Sequence, residues 1–266
     1  WYASTRGTAL ASISRARAPQ LHAQTVPRSH LAPALIDRMW TLFSAHYADV
    51  DRTAFEADLA GKDDVVLLRS PADDELQGFS TLQRLHLTLA GRPVRVLFTG
   101  DTIVAPAYWG QTALQRAFLA YAIGWWLRQP TVPLWWFLIT KGYKTYLLLT
   151  RNFPVHWPRH DRPTPPDALL LLDACARAKF PETWVPERGI LAHAGRYGRL
   201  REEVAPIDAR LAAAPDVRFF LERNPGHAAG DELVCLGRIG PDLWTFYMAK
   251  LLRRALTGRS RPGGGQ

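Results

Sequence analysis

The residues with the most evident chemical potential lie in VAPAYWGQTALQRAFLAYAIGWWLR, from Val104 to Arg128. A strand-like run ends at Ala105-Pro106, a loop containing Gly110 follows, and a helix opens at Gln111-Thr112-Ala113. The first N–H groups of a helix have no partner within it, and the aligned peptide dipoles add positive potential there. Such a mouth holds a phosphate or diphosphate when side chains stay clear. Gly110 permits close backbone approach, and Gln111 and Thr112 bring N–H groups with small polar side chains. Behind them Leu114, Ala117, Phe118, Tyr121 and Trp125 recur at helical spacing, and Ile123, Trp126 and Leu127 widen the stripe. That pattern predicts a deeply buried helix whose N-terminus is held rigidly.

A second group lies between 141 and 162. Lys141, Lys144, Arg151, Arg159 and Arg162 stand against Asp161 alone, with Tyr143, Tyr146, Phe153 and Trp157 interleaved. Basic groups at this density attract an anion. For acid–base work the candidates are the strand residues His86, Asp101 and Gln83, provided they face a cleft. Gly100-Asp101 also reads as a turn or bulge. No Ser/His/Asp order and no metal-ligand cluster stands out, so no metal is expected. Cys175 and Cys235 have no CxxC or Cys/His neighbour and read as buried thiols in a reducing cytoplasm.

The elements that must position these residues follow from periodicity and turn chemistry. Helices are expected at 31–47 and 51–63, the second with Asp51 as N-cap and Gly61 as stop. Strands follow at 64–70, 77–89 and 94–105, separated by PADDEL and AGRP. After the helix at the mouth come a buried strand at 133–140, an amphipathic helix at 141–153 and a proline-rich crossing. A helix at 167–180, strands in RGILAHAG and DELVCLGRI, a helix around 205–214 and a terminal helix from Pro241 complete the pattern. NPGHAAGD, 224–231, reads as a loop entering the strand at Glu232, placed to close over a substrate. The fold class is therefore α/β (α+β), with a mixed, mostly antiparallel central sheet flanked by helices. The strand–helix–strand passage from 94 to 140 makes its two strands parallel neighbours.

Composition bounds the function classes. Of 266 residues, 47% are hydrophobic and 21% charged, which suits a globular domain. The +9 net charge sits at the ends: residues 1–30 and 251–266 each hold four arginines and no acid, leaving a nearly neutral body. Basic tails are commonly solvated, so nucleic acid is not an expected partner, with tRNA the exception noted below. The apolar window Phe118–Ile139 is broken by Arg128-Gln129-Pro130 and Pro133, too short on either side to span a bilayer. A cytoplasmic location without membrane attachment is expected. Residues 1–20 read as a flexible basic segment, 21–256 as one domain with a motif region at 31–160 and an enlarged C-terminal part at 161–256, and 257–266 as a disordered tail.

DVVLLRSPADDELQGFSTL and TIVAPAYWGQTALQRAFL together resemble the GNAT superfamily of acyl-CoA-dependent N-acyltransferases. The first is similar to that family's second and third strands. The second is similar to its pyrophosphate-binding segment, where a strand runs through Val-x-Pro into a glycine-containing loop and a helix. The resemblance covers about half the chain. It departs from the family at Trp109 (where that loop begins with Arg or Gln), at Thr112 (its second glycine) and at Leu114 (its last small residue).

What the resemblance implies is a cofactor site at Ile103, Val104, Trp109, Gly110, Gln111, Thr112 and Ala113, with Lys141 and Lys144 meeting the nucleotide phosphates. It implies Tyr143 or Tyr146 as proton donor to the departing thiolate, with Asp101 or His86 as candidates for the base. The implied reaction moves an acyl group, most simply acetyl from acetyl-CoA, to an amine by direct attack. Two alternatives stand beside it: an acyl transferase of the same fold that draws on aminoacyl-tRNA, favoured by the basic flank, and an inactive interaction module, favoured by the altered loop.

Overall fold

A strand absent from the sequence reading opens the fold. In the computed structural model, which describes residues 19–193, 198–201 and 207–258, β1 (His22–Pro27) pairs antiparallel with the strand Asp64–Arg69 and forms one sheet edge. It is mostly exposed and polar, so it carries no alternating signal of its own. The chain continues through α1 (Pro33–His46), β2 (Tyr47–Ala48) and α2 (Arg52–Ala60). Asp51 caps α2 by accepting from the Ala54 N–H at 2.8 Å, and Gly61 ends it. Then β3 (Asp64–Arg69), β4 (Leu76–Leu89) and β5 (Arg92–Val104) form an antiparallel meander.

From β5 the chain crosses through α3 (Ala113–Arg128) to β6 (Leu134–Thr140), which lies parallel to β5. There follow α4 (Tyr143–Asn152), β7 (His156–Trp157), α5 (Pro166–Lys179), β8 (Trp184–Val185), β9 (Ile190–Leu191) and β10 (Arg199–Leu200). The helix expected around 205–214 is instead two, α6 (Ala209–Ala212) and α7 (Pro215–Arg223), because Pro215 cannot continue α6 and starts the next helix. β11 (Glu232–Ile239) and α8 (Pro241–Gly258) complete the chain. The expected tails at 1–20 and 257–266 fall almost wholly outside the described residues.

The main sheet runs β1-β3-β4-β5-β6-β11-β9-β8, with β7 also on β11; every pairing is antiparallel except β5–β6. It is the mixed, mostly antiparallel sheet flanked by helices that the element order predicts. Strand alternation divides the core. Val66, Leu68, Leu97, Trp136 and Leu138 face α3 and α4. On the opposite face Val65, Leu67, Phe79 and Ile103 meet α1 and α2, while Val96, Phe98 and Phe137 meet α5.

The expected deep burial of α3 is corrected. Only Ala113, Ala122 and Trp125 are buried, and Leu127 is 61% exposed, because α3 rests one face on the sheet and, among the described residues, no layer covers its outer side. Its hold comes from below. Arg95, 2% exposed, points its guanidinium at the helix C-terminus and donates to Trp125 O at 2.7 Å and Gln129 O at 2.6 Å. Among the described residues no helix is long and apolar enough to cross a membrane.

Candidate active site

The site begins as a defect in strand pairing. β5 and β6 pair from Arg95↔Leu134 to Thr99↔Leu138 and no further, although both strands continue. At that level β5 carries a bulge: Ser80 opposes Thr102 while Leu82 opposes Thr99. An extra residue bends and twists a strand, and here it turns β5 away from β6. The bulge needs glycine at 100, since a Cβ there would stand 2.7 Å from Thr81 Oγ1 and 2.9 Å from Lys62 Cε. The two strands therefore part like a V, with Asp101 on the inner arm.

A cavity of about 1120 Å³ fills the V and is lined from both faces of the sheet. On the α3/α4 face it meets Trp109, Gly110, Ala113, Leu114, Phe118 and Lys144. Thr112 is the N-cap of α3 but makes no side-chain cap bond, and no acid stands in the first turn. The first N–H groups of α3 therefore have neither an intrahelical nor a capping side-chain acceptor. Gly110 adopts φ +83°, and an added Cβ would find nothing within 4 Å. Its substitution by alanine is therefore expected to cost only the left-handed backbone strain, about 1 kcal/mol, measurable by urea unfolding. A loss several times larger would mean that the loop conformation itself collapses.

On the opposite face the cavity meets Tyr47, Asp58, Asp101, Lys179, His193 and Glu232. Burial, and then the charge of Asp58, raises the Asp101 carboxyl from 3.8 to about 7 against the partial relief given by Lys62. Lys62 is buried behind Gly100, with its ammonium 2.5 Å from Asp58 and over the Phe98 ring. Tyr47 is held protonated, first by burial and then by the charges of Asp101 and Glu232. Glu232 Oε2 lies 2.8 Å from His193 Nε2, and Asp231 Oδ1 accepts from the His193 backbone N–H at 2.9 Å.

Of the expected site residues, Tyr143, Tyr146 and His86 lie away from the cavity, while Lys141 and Gln111 line it with their side chains engaged in other contacts. Tyr146 is wholly buried and donates to Pro158 O at 3.1 Å, and Tyr143 is buried in the core. The face of α4 that meets the cavity is Lys144, Thr145, Leu148 and Asn152, so neither tyrosine reaches it. His86 lies at the other end of the sheet, opposite Arg95 and edge-on to Trp125, 5.8 Å away, which removes it from the base candidates. Lys141 donates to Gly198 O at 2.9 Å and sits over the Tyr47 ring, turned to the opposite face from the helix mouth. Gln111 accepts from the Leu21 N–H at 2.8 Å and donates to Pro19 O at 3.0 Å, so its side chain ties down the segment before β1.

The other expected residues do meet at the cavity. Ile103, Val104, Trp109, Gly110 and Ala113 line it. Trp109 Nε1 donates to Val104 O at 2.7 Å, and Lys144 Nζ lies 4.3 Å from the Trp109 ring centre. The basic flank is divided rather than continuous, with Arg159 and Arg162 both paired to Asp161. The loop at 224–231 is pinned by buried Asn224, which donates to Asp231 O at 2.8 Å. The sequence reading missed Tyr47, Asp58, Lys62, Lys179, His193 and Glu232. Only their polarity beside apolar runs hinted at them.

The order of strands and the parallel β5–β6 pair agree with the element order and the crossover read from the sequence, and the V between them appears only in the tertiary structure. Solved structures similar to this chain include an Enterococcus faecalis V583 protein described as a "Probable N-Acyltransferase", at 14% identity over 51% of this chain and 33% of that one, TM-score 0.36. Escherichia coli ElaA matches at 17% identity over 50% and 87%, TM-score 0.34. A GCN5-related N-acetyltransferase from Kribbella flavida matches at 17% identity over 52% and 34%, TM-score 0.36. The aligned part is thus about a third of the Enterococcus and Kribbella chains. No family model and no curated protein matches this chain.

Proposed function

We propose that the protein is an N-acyltransferase that moves an acyl group from an acyl-CoA to an amine by direct attack. The observation that carries this reading is Asp101, whose carboxyl titrates near 7 at the opening that joins the two halves of the cavity. A donor thioester would enter on the α3/α4 face, its diphosphate on the free N–H groups of α3 beside Gly110 and Lys144. An acceptor would enter on the opposite face, where Asp101 and Glu232 stand as acceptors for an amine beside Lys179 and the Lys62–Asp58 pair.

Asp101 takes the proton that the ammonium must lose before its nitrogen can attack. The new C–N bond forms at the thioester carbonyl, the C–S bond breaks, and the thiolate leaves with that electron pair. Tyr47, which lines the cavity with Tyr108 and Tyr247 and is held protonated by burial, replaces Tyr143 and Tyr146: it gives its proton to the thiolate and recovers one from the attacking nitrogen as the amide forms. Holding both reactants across one opening supplies the proximity on which such a reaction depends.

The test is a thermal-shift titration with coenzyme A and acetyl-CoA. At a hundred times the dissociation constant, a ligand bound only to the native state adds about 2.7 kcal/mol. Thr112→Asp should remove that shift, because its carboxylate competes for the same N–H groups and repels a diphosphate. The unliganded variant should melt no lower than the parent, since an acidic N-cap favours a helix by about 0.5–1 kcal/mol. No shift with either ligand at millimolar concentration would overturn the reading.

A further inference from the structure

Below the V, on the α3/α4 face, the cavity continues as an apolar slot. Its walls are Leu114 and Phe118 of α3, Leu148 of α4, Trp136 of β6, Phe153 and Tyr247 of α8. At a rise of about 3.4 Å per residue, Trp136 lies roughly 7 Å below Leu138, where β5 and β6 are already paired. The slot therefore extends past the point where chemistry would occur. Phe118 and Phe153 pack on Trp136 at ring-centre distances of 5.0 and 4.9 Å. The Trp136 Nε1–H is already used, donating to Thr99 Oγ1 at 2.9 Å, so the ring offers only carbon to the slot.

Among the described residues, polar groups other than the Tyr247 hydroxyl stand toward its ends. Gln115 and Thr145 lie near the N-termini of α3 and α4, beside the V. Asn152 stands at the C-terminus of α4 and is tied to Leu148 O and Lys250, which closes the far end. An acetyl group would end in the V and leave this apolar length to water. Desolvated apolar walls that continue from a thioester site suit one occupant, a hydrocarbon chain carried on that thioester.

Resting on the acyl-CoA reading, we propose that the donor carries a medium-length aliphatic acyl chain, seated between α3 and α4 against Trp136. Apart from the Tyr247 hydroxyl, the chain meets no polar group in mid-slot, and its length is bounded at Asn152.

The experiment is isothermal titration of the full chain with coenzyme A, acetyl-CoA, hexanoyl-CoA and hexadecanoyl-CoA. Each buried methylene tightens binding by at most about fourfold. Hexanoyl-CoA is therefore expected to bind at least tenfold tighter than acetyl-CoA, with no further gain at sixteen carbons. Leu148→Trp, which fills the slot, should reduce hexanoyl-CoA to the affinity of acetyl-CoA. Should that variant fail to fold, the chain-length series on the unaltered protein decides alone. Equal affinity for all three thioesters and for coenzyme A would overturn the acyl-chain slot and leave the acyl-CoA reading standing. Binding of none of the four would overturn the acyl-CoA reading itself.

Discussion

Asp101→Asn is expected to raise the melting temperature and to abolish acyl transfer. Both effects come from the same burial. The folded Asp101 carboxyl titrates near 7 against 3.8 for a free one. Between those values the native state keeps a proton that the unfolded chain has released, so native stability falls as pH rises from about 4 to 7 and then levels. The full gap corresponds to about 4 kcal/mol, and cavity water should reduce that to about 2–3 kcal/mol. Asparagine removes the penalty. The gain in melting temperature should be near zero at pH 4, grow through pH 6 and plateau above 7, at about 5 °C or more. Transfer in the unaltered protein requires the ionised carboxylate, so its rate should rise with pH and level above about 7. With asparagine the rate should fall by about 100-fold or more. Melting curves across pH, together with acyl-CoA consumption against a panel of primary amines, separate the two effects. A stability gain that does not vary with pH would mean that Asp101 is not the strained acid described above.

Arg95→Met is expected to destabilise the protein by about 3 kcal/mol or more, a large part of the 5–15 kcal/mol typical of a domain. The guanidinium is buried, and among the described residues its hydrogen bonds all go to carbonyls. Its partners are carbonyls at the end of α3 and just beyond: Trp125, Trp126, Gln129 and Val132, at 2.6–3.4 Å. These include groups that a helix leaves unsatisfied, at the negative end of its dipole. Burial pushes the Arg95 pKa down, but guanidinium remains charged at any ordinary pH. Methionine fills the volume but removes the donor of Trp125 O and Val132 O and the second donor of Trp126 O and Gln129 O, which keep the Gln129 and Val132 N–H groups; each lost charged hydrogen bond costs about 1 kcal/mol or more. Arg95→Lys should recover only part of the loss, because one ammonium cannot span the same set of acceptors. Urea unfolding measures the change. A variant as stable as the parent would show that water replaces the guanidinium freely. Because α3 presents its N-terminus to the cavity, the methionine variant should also bind coenzyme A more weakly below its melting range.

Much of the fold is decided locally. Alternation in 64–105, the turns between those strands, the Asp51 cap, Gly61 and Pro241 set most element limits to within a few residues. The strand–helix–strand order fixed the parallel β5–β6 pair, because chirality leaves that passage few alternatives. The glycine at the mouth of α3 was legible for the same reason: a positive φ is a local demand.

The site was only half legible. Periodicity says which residues share a face, but not what that face meets. On α4 it groups Tyr143, Tyr146 and Leu147, and the tertiary packing sends that side into the core and turns Lys144, Thr145 and Leu148 to the cavity. β1 had no pattern because its stability is supplied by β3, some forty residues away in sequence. Gln111 had the right chemistry for an anion, but the backbone of Pro19 and Leu21 reached it first. Asp101 could be named from sequence, yet its acidity is set first by burial and then by Asp58, Lys62, Glu232 and Lys141, brought around it by three other regions of the chain. Charge and burial act through space. The sequence by itself determined the elements and the mouth of α3, and only the tertiary structure decided which side chains share the opening between β5 and β6.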